Sequence, residues 1–71
     1  MERDQLEKLL NYYKGSEVRI TDEHHPHYNS VGAVIGASNT AIGGGLKIRR
    51  FDTQEEFLVF DVNHLKITKR R

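Results

Sequence analysis

Leu6, Leu9, Leu10 and Tyr13 fall at positions i, i+3, i+4 and i+7, a spacing that lines one face of an α-helix with apolar side chains. The pattern predicts a helix over residues 3–13. Gly15, just beyond it, is the residue a helix C-terminus favours, because glycine enters the left-handed region at no steric cost. Glu2 and Asp4 near the start and Lys14 near the end follow the order that complements the helix dipole. After Gly15 the period changes to two: Val18 and Ile20 alternate with Glu17, Arg19 and Thr21, as in a half-buried strand. Residues 22–30 hold three histidines, a proline and an asparagine without apolar periodicity and read as a loop. Residues 31–37 form the next strand, where Gly32 and Gly36 mark a bulge, a sharp bend or the close approach of another backbone. Residues 38–45 are polar and glycine-rich and read as a turn, and residues 46–51 as a third strand with Leu46 and Ile48 opposite Lys47 and Arg49. After a turn at 52–55, Phe57, Leu58, Val59 and Phe60 form a strand apolar on both faces, which calls for cover on both. The N-terminal helix, too short to be stable alone, is the expected cover. Residues 62–65 suit one helical turn, and Lys66, Ile67 and Thr68 a last short strand.

A helix followed by five short strands in about 55 residues, with a polar loop after the first and tight turns among the middle three, predicts a mainly-β SH3-like barrel. The main competitor, the OB-fold, places a helix between its third and fourth strands, where only residues 52–55 are available here. The expected organisation is an amphipathic helix at 1–14, a five-stranded barrel at 15–68 with one helical turn before the last strand, and a basic tail at 69–71.

Composition narrows the function classes. Seventy-one residues make one small domain, and a core of that size leaves little room for a large enclosed active site. At 37% hydrophobic and 30% charged, the chain has the composition of a folded globule. The absence of cysteine removes disulfides, thiolate zinc sites and thiol nucleophiles. The opening Met-Glu-Arg-Asp is too charged for a signal peptide, and apolar runs stop at about four residues, so the expectation is a soluble cytoplasmic protein without membrane contact. The net charge of +1 hides a gradient: zero over residues 1–14, −2 over 15–45 and +3 over 46–71. That is a modest asymmetry, well short of a histone-like footprint.

Two stretches carry a resemblance. Gly15-Ser-Glu-Val-Arg-Ile20 followed by His25-Pro-His-Tyr-Asn-Ser-Val-Gly-Ala-Val34 resembles the KOW-type pattern of a glycine, a V-x-I strand, a loop with an aromatic and a turn residue, then G-x-V. The same stretch, extended by Arg50-Phe51-Asp52, is similar to the photosystem I reaction-centre subunit IV family. Both resemblances imply an SH3-like barrel. The first implies docking on RNA or protein, and the second a subunit of an electron-transfer assembly.

Among chemistry-bearing residues, His24, His25 and His27 lie close to Asp22 and Glu23, with His64 farther along. Imidazoles at this density bind transition metals, but turn chemistry in a surface loop explains them without one, so neither a metal nor a cofactor is expected. The glycines at 43–45 lack the Gly-Lys-Ser/Thr ending of a phosphate loop and precede a strand, which makes them a hairpin loop, with mobility on binding as the expectation. Ser16, Ser30 and Ser38 sit at turns or strand ends, and Glu55 and Glu56 are adjacent and point apart, so no enzymatic constellation is expected. The leading expectation is a non-catalytic module making a weak accessory contact with RNA or a nucleic-acid complex through Lys47, Arg49, Arg50 and Lys66, with Tyr28 for stacking and Arg19, Lys69, Arg70 and Arg71 as companions. The alternative is a protein-docking subunit whose partner or dimer surface is built from Leu6, Leu9, Tyr13, Phe57 and Phe60, the chain being a monomer or weak homodimer.

Overall fold

The structure is a computed structural model that describes residues 3–70. Glu2, placed at the helix start by the pattern, and Arg71, placed in the basic tail, lie outside the described residues. Helix α1 spans Arg3–Tyr13 and is followed by strands β1 (Glu17–Ile20), β2 (Val31–Thr40), β3 (Gly43–Arg50) and β4 (Glu56–Val59), a 3-10 turn (Val62–His64) and β5 (Leu65–Lys69). The helix ends where its spacing predicts. Gly15 takes a φ of 80° there, while the Ser16 amide donates to the Tyr13 carbonyl and the Gly15 amide to Val34, tying the helix end to β2.

The five strands form one antiparallel sheet in the order β4-β3-β2-β1-β5. The expected barrel is not present: among the described residues no ladder joins β4 to β5, and the sheet stays open. The reason is visible in what covers its inner face. That face carries Val18, Ile20, Val34, Leu46, Ile48, Val59 and Leu65, all buried, with Leu9, Leu10, Tyr13, Ala37, Phe57, Val62 and Ile67 packed around them. A closed barrel would cover such a face with the sheet itself. Here helix α1 packs across β2 and β3, and the loop at 21–30 packs its histidine rings on Phe57.

Three further expectations are corrected. The helix does not lie mainly on the Phe57 strand; it rests on β2 and β3, where Leu6 is 6% exposed. The apolar run at 57–60 is accounted for otherwise: Val59 faces the core, Phe57 stacks on His27 with ring centroids 4.1 Å apart, Leu58 faces outward beside Lys47, and Phe60 lies on Gly45. The glycines at 43–45 belong to β3, paired with Thr40, Asn39 and Ser38. They form no hairpin loop; the turn between β2 and β3 is Ala41 and Ile42 alone. A Cβ on Gly44 would lie 3.3 Å from the methyl groups of Leu6, and one on Gly45 3.1 Å from the Phe60 ring. These two glycines are seats for neighbouring side chains, which is a packing role and not a flexible one.

The strand glycines at 32 and 36 each do one of the things expected of them. Gly32 lets β3 approach so closely that a Cβ would sit 2.3 Å from the Arg49 carbonyl oxygen. Gly36 lies at a register shift between Val34 and Gly36 that sets Ile35 apart as a bulge. Asn29 adopts a φ of 65° and so supplies the left-handed residue that ends the loop, its amide donating to the Ile20 carbonyl. No helix is long and apolar enough to cross a membrane among the described residues.

Candidate binding face

Strand alternation decides which charges meet. On β3, Leu46 and Ile48 point to the core, so Lys47 and Arg49 point to the outer face, and Arg50 points back again. Arg49 pairs with Ala33, Ala33 with Glu17, and on the neighbouring row Arg19 pairs with both Val31 and Lys66. Directly opposed residues share a face, so Lys47, Arg49, Arg19 and Lys66 all stand on the outer side of the sheet. Lys47, Arg49 and Lys66 are thus brought to one face as the sequence predicts, with Arg19 beside Lys66. Lys66 lies three strands from Arg49, roughly 14 Å across the sheet at ~4.8 Å per strand.

Two carboxylates temper this basic face. Glu56 receives hydrogen bonds from Arg49 Nη2 at 2.7 Å and Nε at 3.2 Å, and Lys47 Nζ lies 3.4 Å from its other oxygen. Those bonds, Arg49's first and Lys47's second, hold the Glu56 carboxyl below its ordinary range. Glu17 accepts a 2.6 Å bond from the Thr68 hydroxyl. Four cations against two anions leave the outer face net positive. An aromatic ring shares it: Phe60 lies over Gly45, on the side of β3 opposite to Leu6 over Gly44, and keeps 41% of its surface exposed.

Arg50 does not join the other basic residues. Its guanidinium grips Asp52 at 2.9 and 2.7 Å, and its Nη1 lies 3.2 Å from His27 Nδ1. Asp52 raises the guanidinium's proton affinity, and the same hydrogen bonds lower that of the carboxyl. Tyr28 is exposed in the loop, whose next residue, Asn29, accepts a 3.4 Å contact from Arg19. Among the expected companions, Lys69 stands opposite Glu17, and Arg70 lies over the Tyr12 ring at 4.9 Å and hydrogen-bonds its hydroxyl. Of the residues read as a partner surface, Leu6 is buried, Leu9, Tyr13 and Phe57 pack on the core, and Phe60 is exposed.

The histidines have structural partners. His25 Nδ1 accepts the His27 amide at 3.0 Å, His27 stacks on Phe57, and His27 Nε2 lies 3.9 Å from Glu55. Asp22 accepts the His24 amide at 3.0 Å and lies 3.5 Å from His64 Nδ1. Among the described residues no three histidine, aspartate or glutamate side chains converge as metal ligands, and no concave pocket opens on the surface. Two features of this face were missed in the sequence reading. Glu56 between Lys47 and Arg49 needs the β3–β4 register, and Phe60 beside them needs the Gly45 seat.

No family model, curated protein or solved structure matches this chain. Together with the open sheet, this overturns the resemblance to the KOW-type pattern and to photosystem I reaction-centre subunit IV. The quoted residues are strand, turn and bend positions, Val18 and Ile20 in the core, Asn29 at positive φ and Gly32 at the tight crossing, and any curled antiparallel sheet has use for them.

Proposed function

We propose that the chain is a binding module whose outer sheet face makes a weak contact with single-stranded nucleic acid. The observation that carries this reading is the strand register, which gathers Arg19, Lys47, Arg49 and Lys66 on the face that also presents Phe60. Cations supply phosphate contact and an exposed ring supplies a stacking platform. Glu56 and Glu17 limit the strength. About three phosphates neutralised correspond to a slope of about −2 in log K against log salt for a single strand. Arg50, engaged with Asp52 and His27, stands outside the contact.

The test is fluorescence anisotropy of a labelled mixed-sequence single-stranded RNA, with proton-nitrogen spectra to locate the shifts. Binding at low salt that falls with the slope above, is abolished by Lys47→Glu/Arg49→Glu and is weakened by Phe60→Ala supports the reading. A spectrum unmoved by RNA at low salt overturns it, as does binding that survives charge reversal of Arg19, Lys47, Arg49 and Lys66 together.

A further inference from the structure

An open sheet has two ends. Among the described residues, strands β4 and β5 each pair on one side only, with β3 and β1 respectively. The other side of each presents a row of backbone donors and acceptors that another strand can complete. Which residues present them follows from the ladder alternation. The Arg50 amide donates to the Glu55 carbonyl, so residues 55, 57 and 59 turn their backbone groups toward β3, and Glu56 and Leu58 turn theirs outward. At the other end the Thr21 amide donates to the His64 carbonyl, so residues 64 and 66 face β1 and Leu65 and Ile67 face outward; the Leu65 amide already donates to the Val62 carbonyl of the 3-10 turn, which leaves its carbonyl and both backbone groups of Ile67 to a new strand.

The two edges carry opposite charge. Glu55, Glu56 and Asp61 lie on β4 and its flanks, and Lys66, Lys69 and Arg70 on β5 and its continuation. Pairing β4 with β4 would set acid against acid, and β5 with β5 base against base. Only β4 with β5 sets unlike charges side by side, and like charges directly opposite destabilise a strand pair. Phe60, exposed immediately after β4, adds apolar surface beside that edge.

We propose that the partner of these edges is a second copy of this chain, with β4 of one copy pairing with β5 of the next. The contact is head to tail. Each added copy keeps one free edge of each kind, so association continues until a ring closes or a filament grows. Lys66 and Phe60 belong to the outer face as well, but the inference does not require the nucleic-acid reading, since the pairing is made by backbone groups of the strand edges and is read in the absence of RNA.

Sedimentation velocity over a wide concentration range tests it, with two variants that each block one edge by removing an outward amide: Leu58→Pro for β4 and Ile67→Pro for β5. The wild-type chain is expected to exceed the monomer mass as concentration rises. Each variant alone should stay monomeric, because its one competent edge faces only copies of the same kind. An equimolar mixture should form a species of twice the monomer mass and nothing larger, through the free β5 of one and the free β4 of the other. If circular dichroism finds either proline variant unfolded, Lys66→Glu/Lys69→Glu takes its place and should abolish association by making both edges acidic. A wild type that remains monomeric at millimolar concentration overturns the proposal. So does association that persists in a folded edge variant, which would assign it to another surface or partner.

Discussion

Gly32 is where the structure makes its sharpest demand on a single residue. A Cβ there would meet the Arg49 carbonyl oxygen at 2.3 Å, the Arg49 carbonyl carbon at 2.8 Å and the Arg50 Cα at 3.1 Å. All three are backbone atoms, so no side chain can swing aside. To reach ordinary contact beyond 3.4 Å, Gly32→Ala must push β2 and β3 apart by about 1 Å. This happens in the ladder that pairs Gly32 with Arg50 and Ala33 with Arg49, in the middle of the sheet. Overpacking of ~1–3 kcal/mol, with one or two ladder bonds weakened at ~1 kcal/mol each, gives a cost of about 2–5 kcal/mol. A domain of this size has a net stability of only ~3–5 kcal/mol, so the variant should sit close to half unfolded in water. Gly36→Ala is the matched control: same strand, same chemistry, negative φ and nothing within 4 Å of the new methyl. It should be neutral or gain ~0.4–1 kcal/mol by restricting the unfolded chain. Urea unfolding followed by circular dichroism measures both. Equal midpoints for the two variants would refute the account of Gly32 as a backbone crossing.

Two more predictions concern the helix and Glu56. Leu6→Ala removes the buried side chain that seats helix α1 on Gly44 and should cost ~2–5 kcal/mol, read as loss of helical circular dichroism at a lower urea concentration than wild type. The Glu56 carboxyl is held below its ordinary 4.5 by Arg49 and then Lys47, so its contribution is present above that value and is lost as pH falls through the lowered one. The stability difference between wild type and Glu56→Gln should therefore be constant near neutral pH and shrink on acidification below about pH 4.5; a difference independent of pH would show that the pair with Arg49 does not form in solution.

Much of the local structure is legible in the residues. The helix announces itself because four apolar positions at helical spacing meet a glycine that ends them, and the inner residues of β1 and β3 because their alternation is clean. Less is legible where a residue type has two uses. Glycines at 43–45 look like a loop, since glycine is the commonest loop residue, yet Gly44 and Gly45 sit in a strand because Leu6 and Phe60 fill the space their side chains would take. The correct hairpin has a weak signal in the sequence: Thr40 and Gly43 flank two residues, the commonest hairpin length. Closure has none. Five strands joined by these connections can curl into a barrel or stay open, and the choice depends on whether a helix and a histidine loop take the inner face.

The same distinction runs through the candidate face. That Lys47 and Arg49 point together follows from period two, and by the same rule Arg50 had to point away, so its exclusion was readable before any coordinate. The adjacency of Arg19 and Lys66 was not, because forty-six residues separate them and only the β1–β5 register brings them level. Glu56 illustrates the cost of that gap. In sequence it is one of two adjacent acids on the way into β4, and in space it stands opposite Arg49 and takes up half of the charge that Lys47 and Arg49 would offer a phosphate. Any ligand of this face must therefore either displace Glu56 from Arg49 or bind mainly at the Arg19 and Lys66 side. Glu56→Gln separates these cases: it should tighten RNA binding if Lys47 and Arg49 make the contact, and leave it unchanged if Arg19 and Lys66 do.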